Sequence, residues 1–338
     1  MRNKLLDVCK IVLICLVIIK VLPSNGQVIE LLHVSYDPTR ELFKDYNKLF
    51  CEHYFKETKV KVNVLQSHGG SGKQARAVID GLRAHIVSLA LEYDVMILAN
   101  HGLIKGKWYG GAKGKPAPFY STIVFLVRRG NPKKIKDWDD LVRSGVSVIT
   151  PNPKTSGGAR WNFLAAYGFM KIVRGASDNG AEFFIRRLYS NVPILDTGAR
   201  GSTTTFVQRG IGDVYICWEN EAFLALNEYG TNKLEIIYPS ASIVAEPCVA
   251  IVDKNVDRNG AETRHAAEEY VNFLFSEQPQ EILAKHYFRP TNPDVFKKYS
   301  FQFSQIRLFT IKDVAGDWTK AQERFFSEDG VFDRIHKP

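Results

Sequence analysis

Two apolar rhythms alternate along this chain. Segments 29–35, 59–65, 86–91, 121–127, 146–150, 192–195, 214–218, 234–238 and 248–252 are short and rich in β-branched residues, which predicts strands. Between many of them, apolar positions recur three and four residues apart. This spacing predicts helices at 41–56, 74–84, 137–143, 158–170, 181–189, 202–210, 262–276 and 281–285. In 41–56 the stripe is Leu42, Tyr46, Leu49, Phe50 and Tyr54. Strands alternating with helices argue for an α/β fold with parallel sheets covered on both faces. No internal repeat or low-complexity segment interrupts the alternation.

Four strand ends share one grammar: a short loop of small or polar residues, then a helix start. They are Ser35 to Glu41, Ser67 to Gln74, Thr155 to Trp161 and Thr197 to Ser202. In the first, Asp37 is placed to cap a helix opening at Pro38, where a missing N–H costs nothing. Each loop presents unsatisfied backbone N–H groups at a helix N-terminus, where the macrodipole favours an anion. One such turn is an ordinary cap. Four at strand ends of one α/β chain point to an anion site, because open sheets bind ligands beyond the carboxyl ends of their strands.

Length adds a boundary. At 338 residues the chain exceeds the size at which a single core stops growing, so two domains or two lobes are expected. The apolar fraction of 45% and charged fraction of 24% are those of a globular protein. Residues 1–26 form a separate unit: a basic start, an apolar run over 11–19, then Lys20 and the helix-ending Pro23 to Gly26. That is the layout of a secretory signal cut before Gln27, and the run is shorter than the roughly 20 residues of a membrane span. An uncleaved anchor is the alternative. Removing the segment lowers the net charge from +9 to +6. These charges are dispersed, so the basic stripe of a nucleic-acid binder is missing. Cys51, Cys217 and Cys248 fit no zinc spacing and are expected as buried thiols.

Sharper motifs fail. The Gly69 to Gln74 loop ends like a phosphate-binding loop, but Ser67 and Gln74 replace its first glycine and its magnesium-binding hydroxyl. His33, His53, His68, His85 and His101 lack metal-ligand spacing. Ser156 has no nucleophile-elbow context. The carboxylate pairs Asp139/Asp140 and Glu219/Glu221 are expected on solvated faces. With no base, nucleophile, metal or cofactor set, the chain does not read as an enzyme.

The same loops carry a resemblance. Segments 34–41, 67–75, 148–154, 156–162 and 196–203, with 210–214 leading to Trp218-Glu219-Asn220-Glu221, resemble the periplasmic sulfate-binding proteins of the sulfate/thiosulfate transporter family. The similarity runs over essentially the whole chain after residue 26, through Leu308-Phe309-Thr310. It implies a type II periplasmic-binding-protein fold, two α/β lobes closing about hinge crossings. The boundaries expected are 1–26 signal, 27–122 first lobe, 123–236 second lobe, 237–300 first lobe again, and 301–338 a helical segment packing back across both. It also implies the ligand donors: backbone N–H groups of Asp37, Ser71, Gly157, Gly158 and Ala199, the Ser156 hydroxyl and the Trp218 indole N–H. Read without the resemblance, a strand-end tryptophan is a core residue. Arg40, Arg160 and Arg200 sit beside the loops, as supports for them or as surface ion pairs.

Such a set has a chemical logic. Sulfate at neutral pH only accepts hydrogen bonds, and these groups donate them. Hydrogen phosphate would bury an unmatched proton, which costs on the order of 1–3 kcal/mol or more. The logic requires Asp37 to cap its own helix and offer only its N–H. The reading is a monomeric receptor that takes sulfate, with thiosulfate as the competing ligand, and docks on a membrane ABC-type permease. A secreted sensor or adhesin on the same fold is the alternative from another class.

Overall fold

A computed structural model describes residues 28–105 and 117–336; the expected signal segment lies outside them. The chain opens with strands β1 (Ile29–Tyr36), β2 (Val62–Gly69) and β3 (Ile86–Leu89), then passes through β4 (Phe119–Tyr120) into β5 (Ile123–Arg128). Strands β6 (Val148–Ile149), β7 (Val214–Trp218) and β8 (Leu234–Ile237) complete a sheet of order β6-β7-β5-β8. The chain returns by β9 (Ala241–Ile243) to β10 (Cys248–Ile251), which joins the first sheet, order β10-β3-β1-β2. Two sheets, each with its own helices, make the two α/β lobes.

Burial explains why these segments became strands. Every residue of β7 is buried, as is all of β5 but Arg128, and such continuous apolar runs suit strands covered on both faces. The helix Arg40–Thr58 buries Leu42, Phe43, Tyr46, Phe50 and Tyr54 on one stripe and stops at Lys59 in a left-handed conformation (φ 62°). Cys217 and Cys248 are buried and Cys51 half-buried, all three free thiols.

Two expectations are corrected. The sheets are mixed: β1 pairs parallel with β2 and β3, and β6 with β7, but β10 runs antiparallel to β3, and β5 to both β7 and β8. The strands that break the pattern are those entered as the chain passes between lobes. Segment 192–195 is no strand; Pro193, half-way along it, has no N–H for a ladder, and the segment stays half-exposed.

The end of the chain packs back on both lobes. Strand β11 (Arg289–Pro290) pairs with β4, and β12 (Arg307–Phe309) pairs with β9, the segments on which the chain passes between sheets. Beyond β12, the helix Ile311–Ala315 packs on the helix Gly157–Gly168, and Trp318 packs edge-on against Trp161 at 4.6 Å.

Candidate functional site

The site forms where the carboxyl ends of β1 and β2 face the second lobe. After β1, the chain turns at Asp37–Thr39; after β2, Gly70 caps the helix Ser71–Ile79. From the other lobe come the helix Gly157–Gly168, capped by Ser156, and the short helix Ala199–Thr203, capped by Gly198. Six of the seven expected residues, Asp37, Ser71, Ser156, Gly157, Gly158 and Ala199, line one small pocket together with Tyr36, Pro38, Gly69 and Gly70. Its atom-free space, mouth included, is about 230 Å³. None of these lining residues is a lysine or arginine.

The seventh, Trp218, ends β7 beside the pocket. A Cβ placed on Gly158 would stand 3.3 Å from the Trp218 indole nitrogen and 3.7 Å from the Ser156 hydroxyl, so these groups converge. The indole N–H makes only a long bond, 3.4 Å to the Gly158 carbonyl. Ser156 accepts from Ala159 N–H at 3.3 Å. Ser71 is tied more tightly: its hydroxyl donates to Asp94 at 2.5 Å and accepts from Ala90 N–H at 3.0 Å, leaving its backbone N–H as the group for the pocket.

The lobes are in contact across this pocket. A Cβ on Gly70 would reach within 2.8 Å of the Thr155 carbonyl, and one on Gly157 within 2.9 Å of Ser71 Cβ. Trp161 donates across to Ala90 O at 2.7 Å. Two ion pairs also span the gap. Arg200 meets Glu41 at 3.3 Å on the surface, and Arg160 faces Asp94 at 3.7 Å in the interior. Arg40 is exposed. Of the three arginines beside the loops, then, Arg160 alone is buried; its Nε also holds the Pro153 carbonyl at 2.9 Å.

The carboxylates depart from expectation. Asp37 does not cap its own helix: Tyr36 holds the cap position, and Asp37 Oδ2 lies 3.1 Å from where a Cβ on Gly198 would be. Burial raises its pKa against the pull of Arg40, Arg200 and Lys73. Of the carboxylates expected on a solvated face, Glu219 is not solvated and Glu221 is only partly exposed. Glu219 is fully buried in a two-point pair with Arg289, at 2.7 and 2.8 Å. Burial pushes Glu221 up to about 8; Trp218 N–H at 3.4 Å and Arg200 oppose the shift, and Asp37 adds to it. Asp37, Glu221, Arg200 and Glu41 all border a second cavity beside the first, with about 580 Å³ of atom-free space, mouth included.

Comparison with known proteins bears directly on this arrangement. The sequence model of the family described as bacterial extracellular solute-binding protein matches residues 33–289. The sulfate-binding protein of Escherichia coli is 55% identical over 91% of this chain and 93% of its own. The chain belongs to the sulfate-binding family of bacterial extracellular solute-binding proteins. A thiosulfate-binding protein of Pseudomonas aeruginosa is 44% identical over 91% of this chain and 92% of its own. Among solved structures, the sulfate-binding protein of Mycobacterium tuberculosis superposes with a TM-score of 0.79 at 32% identity, covering 88% of this chain and all of that one.

Read without the resemblance, Trp218 is a core residue, and it is fully buried as the last residue of β7. What that reading leaves out is that its indole nitrogen converges with Ser156 and Gly158 beside the pocket. The signal available was weaker than the grammar of the four loops: three polar residues, Glu219-Asn220-Glu221, directly after the strand with no loop between. Tyr36 was also missed; its hydroxyl is buried without a hydrogen-bond partner at the pocket wall.

Proposed function

We propose that this protein captures sulfate between its lobes and hands it to an ABC-type importer in the membrane. The observation that carries the reading is the convergence of helix starts from both lobes on one pocket whose lining has no cationic side chain. Ser71 N–H comes from the first lobe; Ser156, Gly157, Gly158, Ala199 and Trp218 donate from the second, and Asp37 N–H completes the set. Since Asp37 does not cap its own helix, the donor-only account requires its carboxylate, which lies near Gly198, to stay turned away from the anion. Helix ends hold a dianion through fixed dipoles and N–H groups, without the desolvation of a buried counter-charge. Closure follows, because only the closed form engages both sets of donors.

We assign residues 27–122 and 237–300 to the first lobe, 123–236 to the second and 301–338 to the segment that packs across both. The protein works as a monomer in the periplasm, after loss of residues 1–26. The deciding measurement is titration calorimetry with sulfate, thiosulfate and phosphate at pH 7. Sulfate is expected to bind at micromolar Kd or tighter, about −8 kcal/mol, with phosphate far weaker; comparable phosphate affinity would remove the donor-only account. Thiosulfate is included because relatives at 44% and 43% identity carry that name. Ser156→Ala and Trp218→Phe are each expected to weaken sulfate without unfolding the chain.

A further inference from the structure

The helix that follows Trp218, Glu219–Tyr229, is anchored at its first turn to elements outside its own sheet. Arg289 grips Glu219 with Nε on Oε2 and Nη2 on Oε1. Arg289 belongs to β11, where it pairs with Tyr120 of β4. Its Nη2 also donates to the Ser304 carbonyl at 2.9 Å, and its guanidinium lies over the Phe303 ring at 5.1 Å. Both partners are inside the protein, Glu219 at 0% exposure and Arg289 at 4%.

The backbone around the pair is held in the same place. Glu219 N–H donates to Thr122 O at 2.9 Å, and Trp218 faces Ile123 in the β5–β7 ladder. Ser121 exchanges two backbone hydrogen bonds, both 2.9 Å, with Ala245 on the other segment that passes between sheets. The ion pair thus ties the start of the Trp218 helix to the first passage at β4, and Ser121 ties that passage to the second at Ala245. Such a pair contributes little net stability, because desolvating two charges offsets their attraction. What a two-point guanidinium–carboxylate contact does fix is position and angle.

We propose that the Glu219–Arg289 pair is a positioning strut, which holds Trp218 in fixed register to the passages between lobes so that closure delivers its indole N–H to the anion. The strut rests on the sulfate reading above. Neither residue lines the anion pocket, so both act through Trp218. Losing the strut leaves encounter with sulfate intact and loosens the closed state, which places the effect in release.

The test is stopped-flow tryptophan fluorescence with sulfate, with thermal unfolding recorded in parallel, on the wild type, Arg289→Lys and the double variant Glu219→Gln/Arg289→Met. Lysine keeps the charge and loses the two-point contact. Release is expected to quicken about tenfold, with association little changed, because mutations within one interface act mostly on dissociation. The double variant strands no buried charge and is expected to melt near the wild type, yet to release sulfate as fast as the lysine variant. A folded double variant with wild-type release would overturn the strut, as would wild-type release in Arg289→Lys. Should the double variant fail to fold, the lysine variant decides alone. A wild type that gives no sulfate response removes the sulfate reading and the strut together, whereas a binding wild type with unaltered variants removes the strut alone.

Discussion

Glu221 is an acid held where its charged form is poorly solvated. An ordinary glutamate titrates near 4.5, and burial carries this one to about 8. Between those values the folded chain keeps a proton that the unfolded chain has lost, so stability falls as pH rises across the window. Each unit of the window costs about 1.4 kcal/mol, a few kcal/mol in all once complete near pH 8. Glu221→Gln has no proton to lose. Its melting temperature is expected to change less between pH 5 and 8 than that of the wild type, and to exceed it above pH 8; parallel melting curves for the two proteins would refute the assignment. The sequence showed the four N–H-bearing loops and hid this acid for the same physical reason. Glycine and serine at a helix start mean exposed N–H groups wherever they stand. A carboxylate there reads alike in water and in the interior, and Glu219 is covered by Arg289, seventy positions along the chain.

Among the elements, two glycines on one helix make opposite predictions. A Cβ on Gly157 would press on Ser71 and, at 3.0 Å, on Ala90, both across the lobe boundary. The chain can relieve that clash by staying open. Gly157→Ala is therefore expected to weaken sulfate binding by tenfold or more, about 1.4 kcal/mol, with thermal stability little changed; normal affinity would show that the closed contact is looser than described. Gly168, at the other end of the helix, has Phe309 and Val314 against its Cα face, with Val314 Cγ2 2.8 Å from an added Cβ. Phe309 ends β12 and Val314 lies on the helix Ile311–Ala315 that packs back after it. Overpacking there is expected to cost about 1–3 kcal/mol of stability and to leave affinity nearly intact, as unfolding and titration would separately show. Element type was legible where the apolar run was continuous, as in β7 on the predicted 214–218, or periodic, as in the Arg40–Thr58 helix, which contains the predicted 41–56. Strand direction was not legible, because it depends on which sheet the chain enters after each passage. The helices Glu92–Asn100 and Glu219–Tyr229 escaped notice because their apolar positions do not fall on one clean stripe.

Across the whole molecule, two ion pairs bridge the lobes at unequal depth. The Arg200–Glu41 pair has side chains 64% and 42% exposed, whereas Arg160 and Asp94 are 11% and 1% exposed. An exposed pair contributes about 0–1 kcal/mol, so Arg200→Ala is expected to change sulfate affinity by a few-fold at most. Arg160→Met leaves Asp94 buried without its cation and is expected to weaken both binding and stability. Adding Asp94→Asn should recover much of the loss, because the stranded charge is what costs. Failure to recover would mean that Arg160 matters through its hold on Pro153 instead. The two-lobe plan itself was legible from length and alternation, and the resemblance placed the cleft. The ties across it were not, since each joins residues far apart in sequence.

The plan of the first sheet also sets an order of synthesis. Its strands β1 to β3 come early, but the fourth, β10, is made only after the whole of β5 to β8. While the chain emerges, the second lobe has all its strands by residue 237, and β3, apolar apart from Ser88, waits with an open edge until residue 251 arrives. The half of the clamp that begins the chain is thus the half that finishes last, and for most of its synthesis the polypeptide lacks a complete first lobe.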